Sequence, residues 1–182
     1  MRSPNGLAWS MEFIEVGAMI SAVLCVMHPD QYRVARSTLG ALCQHQRVKN
    51  SAARWPTVWS AITLVSNRCC PLHRDVSGSF ALFDLLVSTG KYSTAPLELQ
   101  PLGIQIPNGP GTMCGVSGKA FRHGVAHADG PRRCHAFYMR ASLPRFMNVV
   151  PCTWMAQDVY EKWVGEGELR KKMVFKEGNV LT

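Results

Sequence analysis

Lys119-Ala120-Phe121-Arg122-His123-Gly124-Val125-Ala126-His127-Ala128-Asp129-Gly130-Pro131-Arg132-Arg133-Cys134-His135-Ala136-Phe137-Tyr138-Met139-Arg140 reads as two strands around a turn. Asp129-Gly130 is a strong turn signal, because glycine reaches backbone angles other residues avoid and aspartate bonds to nearby amides. If these two residues form a two-residue hairpin loop, His123 opposes Ala136, Val125 opposes Cys134 and His127 opposes Arg132. Opposed residues share a face, so His123, Arg132 and Cys134 point one way, and Arg133 and His135 the other. A three-residue loop would reverse the parity and favour Arg133.

Upstream the same texture continues, with short strands broken by glycine and proline. Strands are predicted over Val58–Val65, Ala81–Ser88, Pro96–Leu99, Gly103–Ile106, Thr112–Val116, Lys119–Val125 and Arg132–Arg140. Asn108-Gly109-Pro110-Gly111 supplies a second strong turn. Before them, Trp9–Met27 has apolar residues at near-helical spacing and ends at Pro29. Asp30 can cap a second helix running to Cys43, and 44–54 reads as a loop. Residues 154–172 again look helical, with a basic end suited to a helix C-terminus. The expectation is an α+β fold: a double-stranded β-helix (jelly-roll) core with N-terminal helices and a C-terminal helix. It forms one domain, with a helical lead-in over 1–54, the core over 55–150 and a helical tail over 151–182.

At 182 residues the chain can bury a core of its own, and 47% hydrophobic with 18% charged residues reads as globular. A net charge of +8 suits a polyanionic partner, since phosphates attract Lys/Arg surfaces at long range. Basic residues are densest over 132–145 and 170–176. Seven cysteines, an odd set with no CxxC pair, point to free thiols in a reducing, intracellular compartment. The apolar run from Gly17 to Met27 is too short to span a bilayer, so no membrane segment is expected, and a monomer is.

His73 and Asp75 are two residues apart, which on a strand puts both on one face, where they can share a metal. His-Arg-Asp also opens the protein-kinase catalytic loop, but that motif needs Asn five residues after the Asp, where this chain has Phe80. Two imidazoles and one carboxylate (His73, His123 and Asp75) make a facial triad for ferrous iron, leaving the opposite face open. Arg132, four residues along from His123 on the shared face, stands about 13 Å away at strand rise. Its guanidinium can reach back to clamp the far carboxylate of a 2-oxo acid such as 2-oxoglutarate. Cys134 could support that clamp; His127 and His135 have less claim.

These segments resemble the fungal branch of the TET/JBP family of DNA oxygenases. The likeness is carried by 67–75 (Asn-Arg-Cys-Cys-Pro-Leu-His-Arg-Asp), 84–92, 97–104, Pro110-Gly111-Thr112, 117–125 and Ala136-Phe137-Tyr138-Met139-Arg140, and spans roughly residues 10–150. The resemblance implies an Fe(II)/2-oxoglutarate-dependent dioxygenase that oxidises the methyl group of 5-methylcytosine or thymine in nuclear DNA, consuming O2. It implies His73, Asp75 and His123 as iron ligands, Arg132 as the 2-oxoglutarate arginine and Arg68 as a second arginine of that site. The rival readings are a decayed nucleic-acid-binding remnant of the fold and an oxygenase acting on RNA or protein.

Overall fold

The computed structural model describes residues 4–154, 156, 157 and 161. Four helices lead in: α1 (Pro4–Glu12), α2 (Ile14–Met27), α3 (Pro29–Gln44) and α4 (Lys49–Ala52). Eight strands follow: β1 (Ala61–Ser66), β2 (Cys70–His73), β3 (Asp84–Gly90), β4 (Leu97–Leu99), β5 (Ile104–Ile106), β6 (Met113–Val116), β7 (His123–Val125) and β8 (Arg132–Tyr138). A short α5 (Ser142–Phe146) closes the described fold. The predicted helix over 154–172 and the basic cluster at 170–176 lie outside the described residues, apart from 154, 156, 157 and 161 of that helix.

The strands form two four-stranded sheets, in the orders β1-β8-β3-β6 and β2-β7-β4-β5, with all pairs antiparallel. This is the expected α+β jelly roll. The chain passes from one sheet to the other between β1 and β2, β2 and β3, β3 and β4, β5 and β6, β6 and β7, and β7 and β8.

That last crossing overturns the hairpin. β7 pairs with β2 and β4, whereas β8 pairs with β1 and β3 in the opposite sheet. His123 therefore opposes His73 and Leu99, not Ala136, and Cys134 opposes Val65 and Ser88, not Val125. Asp129 and Gly130 do turn the chain, but against a different loop. The Asp129 carboxylate accepts from the amides of Ser93 and Thr94, each at 2.9 Å, and from the Ser93 hydroxyl. A Cβ on Gly130 would come within 2.3 Å of the Lys91 carbonyl, so this close approach needs glycine. The turn is a corner between sheets instead of the end of a ladder.

Alternation along β8 gives the sheet two different faces. Arg132, Cys134, Ala136 and Tyr138 face the space between the sheets, and Phe137, fully buried, packs outward under the helices. There it joins Leu85, Trp59, Ile20, Leu24, Val34 and Ala35 in the larger core. A smaller core of Leu97, Leu99, Val116 and Val125 lies between the sheets. The helices thus press one sheet into place and leave its other face free for a cavity.

Three local readings change as well. The predicted helix over Trp9–Met27 breaks at Phe13 into α1 and α2. Pro29 does not stop the chain's helicity; it occupies the first position of α3, where its missing N–H costs nothing. The cap is His28, not Asp30: its Nδ1 accepts from the Gln31 amide at 3.2 Å and its Nε2 donates to the Ala81 carbonyl at 3.0 Å. Gln31 adds a paired bond to the Phe83 backbone, at 2.9 and 2.8 Å, so the helical corner is pinned to the segment entering β3. Residues 49–52 of the predicted loop form the single turn of α4.

Candidate metal centre

β2 ends at His73, and Asp75 lies beyond it, so the two do not share a strand face as expected. A register irregularity between Cys70 and His73 lets the chain bend away from the ladder. The Asp75 amide then donates to the Gly118 carbonyl at 2.9 Å, which brings the carboxylate back beside the imidazole. His123 sits directly across from His73 on β7, with ring centroids 4.6 Å apart.

The carboxylate bridges the two rings: Asp75 Oδ1 is 3.8 Å from His73 Nε2, and Oδ2 is 4.0 Å from His123 Nε2. One ligand atom from each residue lies within 4.8 Å of the others. The tautomers follow from the second nitrogen of each ring. His73 Nδ1 is 2.8 Å from the Pro71 carbonyl, and His123 Nδ1 is 3.0 Å from that of Phe121. A carbonyl can only accept, so each Nδ1 carries the proton and each Nε2 turns a lone pair towards Asp75. Imidazoles held by an outer hydrogen bond in this way are oriented for a metal. His123 is buried, whereas His73 and Asp75 are 45% and 41% exposed, so the three donors are reached from one side.

Gly118 makes this arrangement possible. A Cβ there would lie 2.0 Å from Asp75 Oδ2 and 2.9 Å from Asp84 Oδ2. Asp84, at the start of β3, is a site residue that no motif singled out. Burial, then the neighbouring charge of Asp75, pushes its carboxyl up to about 7, against the pull of the Arg140 guanidinium and the Gly118 amide.

All of these side chains open onto a cavity of about 310 Å³ between the sheets, lined further by Leu86, Leu97 and Val125. Arg132 and Cys134 line it too, while Arg133 is exposed on the other face of β8. Arg132 and Arg133 thus face opposite ways, by strand alternation in a different sheet from the one expected. Arg132 is 5% exposed; it donates from a terminal nitrogen to Ser88 Oγ at 3.0 Å, and its Nε has no partner. Among the described residues no carboxylate lies within 4.0 Å of it. A buried guanidinium with only neutral partners, Ser88 and the Cys134 thiol, and an unpartnered Nε leaves charge and donors unanswered, a state that an incoming carboxylate relieves. Asn67 fixes the strand end beneath it, accepting from the Arg132 amide at 3.0 Å and donating to its carbonyl at 2.7 Å. The Cys134 thiol is raised by burial.

Arg68 is not part of this cavity. It lies in the crossover from β1 to β2, just after Asn67, whose φ of 50° turns the chain. It is exposed along a neighbouring crevice that also contains Arg132, His127 and Asp129. The two histidines, Asp75, Arg132 and Cys134 therefore come together, and Arg68 approaches Arg132 from outside. All seven cysteines are free, and no described helix is long and apolar enough to cross a membrane.

A family model, Tet_JBP, described as the oxygenase domain of the 2OGFeDO superfamily, matches residues 8–141. Among solved structures, NgTET1 in complex with 5mC DNA superposes with a TM-score of 0.52 at 16% identity. That match covers 85% of this chain and 59% of the other, so the present chain spans under two thirds of its length. No curated protein matches the chain.

Proposed function

Since the chain belongs to the Tet/JBP family of 2-oxoglutarate- and iron-dependent oxygenases, we propose that it oxidises the methyl group of 5-methylcytosine in DNA. The observation that carries the site assignment is one cavity holding both a His-Asp-His cluster and a buried, unanswered arginine. His73 and His123 offer Nε2 lone pairs and Asp75 a carboxylate, a donor set suited to ferrous iron. Arg132, with Ser88 beside it, takes the far carboxylate of 2-oxoglutarate, and Cys134 packs against that clamp. Arg68 guards the same arginine from the outer crevice. Bound iron with 2-oxoglutarate and O2 supplies the oxidation of a C–H bond; the protein supplies position and shelter.

The remaining residues serve that end. Pro71 and Phe121 hold the imidazole protons away from the metal position through their carbonyls. Leu86, Leu97 and Val125 form apolar walls that keep water from the reacting methyl group. A pocket of this size takes a base but no duplex, so the target base must leave the stack to enter. The net charge of +8 supports DNA as the partner, and the solved NgTET1 complex holds 5mC DNA. We place the protein in the nucleus, with the fungal branch of the family, on the sequence strings described above.

The test is succinate release with methylated and unmethylated DNA, followed by nucleoside mass spectrometry. Methyl-dependent succinate together with an oxidised base is expected. Succinate without base oxidation would move the substrate to RNA or protein, and none at all, with DNA still bound, would make this a binding remnant.

A further inference from the structure

The segment after Asp75 is built unlike an ordinary surface loop. Val76 is 85% exposed and Phe80 61% exposed, yet the backbone between them is tied at several points. The Asp75 amide bonds to Gly118, and the Gly78 amide bonds back to the Asp75 carbonyl at 3.0 Å. Lys119 Nζ donates to the Val76 carbonyl at 2.6 Å, and Ser117 Oγ donates to that of Phe80 at 3.1 Å. The Arg140 guanidinium donates to Ser77 Oγ. A loop fixed by polar contacts holds two apolar side chains largely in water. Isolated exposed apolar residues are common. Two on one pinned loop, with Val76 lining the rim of the reaction cavity, are placed for use.

The surroundings indicate for what. Arg74 is exposed at the same cavity, Arg122 is exposed beside it with its Nε 3.4 Å from the Leu72 carbonyl, and Lys119 Nζ stands 5.9 Å from the Phe80 ring centroid. Among the described residues none of Arg74, Arg122, Lys119 and Arg140 has a carboxylate within 4.0 Å. An apolar tip flanked by cations with no carboxylate in contact matches a duplex, with stacked bases between phosphates. It does not match a peptide or a lipid face, which would need a longer apolar groove.

We propose that the loop 75–81 opens the DNA duplex, Val76 and Phe80 filling the stack as the target base leaves it and Arg74, Arg122, Lys119 and Arg140 holding flanking phosphates. Apolar wedges of this kind offset the cost of unstacking by occupying the gap. The inference rests on the DNA reading of the site, but its readout does not need turnover.

The test uses iron-free protein and a duplex carrying 2-aminopurine beside the target base, whose fluorescence rises on unstacking. The parent is expected to raise it. The double variant Val76→Ser/Phe80→Ser is expected to lose most of that rise and, in a parallel assay with Fe(II) and 2-oxoglutarate added, to lower the duplex-to-single-strand ratio of turnover about tenfold. Arg74→Gln with Arg122→Gln is expected to reduce the salt slope of binding by about 1 per contact removed. An undiminished fluorescence rise in the apolar double variant, or an equal loss of turnover on single strands, would overturn the wedge. Absence of methyl oxidation by a parent that still opens the duplex would overturn the reaction instead and leave the loop's role standing.

Discussion

Gly118 and Asp75 are locked together: the Asp75 amide bonds to the Gly118 carbonyl at 2.9 Å, and a Cβ at 118 would sit 2.0 Å from Asp75 Oδ2. Gly118→Ala must therefore displace the carboxylate that bridges the two imidazoles. Gly118 is buried, but the Asp75 carboxylate is 41% exposed and has room to swing aside, so the fold should survive. Anaerobic Fe(II) with 2-oxoglutarate should give a weak visible charge-transfer band in the parent. In Gly118→Ala we expect affinity for iron to fall about 10- to 100-fold, the range seen when ligand orientation is lost. An unaltered iron titration would show that Asp75 is not held by this contact. His73→Ala and Asp75→Ala should abolish the band outright.

Arg132 presents the opposite case, a group that costs stability until its ligand arrives. Its charge is buried beside only neutral side-chain partners, the Ser88 hydroxyl and the Cys134 thiol, among the described residues, so Arg132→Met should leave the melting temperature of the ligand-free protein equal or higher. The same change should raise the 2-oxoglutarate requirement about 10- to 100-fold, the loss expected when a charge-assisted hydrogen bond disappears. Arg133→Met, on the exposed face, should alter neither. Calorimetry with and without 2-oxoglutarate reads both effects. A larger effect at Arg133 would reverse the assignment of faces on β8.

All the described strands but β2 were legible because β-branched and apolar runs alternate with glycine and proline, and most predicted ends fall within a few residues of the observed ones; β2, only Cys70–His73 and interrupted by Pro71, was not among the predicted strands. What stayed hidden was which sheet each strand joins. Asp129-Gly130 turns the chain as its chemistry requires, but a turn signal is local. It cannot tell a ladder's end from a corner between sheets, and here the Ser93 and Thr94 amides decide it. His73 and His123 were visible as motif residues. Asp84 was not, because it fell inside the predicted strand Ala81–Ser88 as one polar residue before Leu85-Leu86-Val87, and only the fold turns it towards Asp75. The His28 cap was missed because a nearby aspartate is the commoner cap, and a ring nitrogen competes with it only when buried.

Phe137 tests whether helices and cavity are coupled through one sheet. It lies on β8 between Ala136 and Tyr138, which line the cavity, but its own ring is buried under the helices. Phe137→Ala should cost about 3–5 kcal/mol by removing that ring from the core. Denaturant unfolding measures it directly. If β8 is held in register by the helices, 2-oxoglutarate binding should weaken as well, although Phe137 touches no part of the site. Full binding at low temperature in a strongly destabilised variant would mean that the sheet keeps its register without the helices.

His28 gives the fold a pH dependence whose sign can be worked out. Burial lowers its pKa from the ordinary 6.5, the Ala81 bond and the charge of Asp30 opposing this only in part. The neutral ring is thus the folded form: Nδ1 caps α3 with its lone pair and Nε2 donates to Ala81. A depressed histidine contributes stability that is fully present above its unfolded pKa and is lost as pH falls from there through the folded value. Protonation would also turn the capping lone pair into a second donor facing the Gln31 amide. In His28→Asn the side-chain oxygen can still cap but cannot reach Ala81, so we expect a deficit of about 1 kcal/mol near neutral pH. That deficit should shrink as the pH drops below 6.5, because only the parent then has a proton to take up. Urea midpoints for both proteins across that range decide the matter, and a constant gap would mean that His28 does not titrate in the fold.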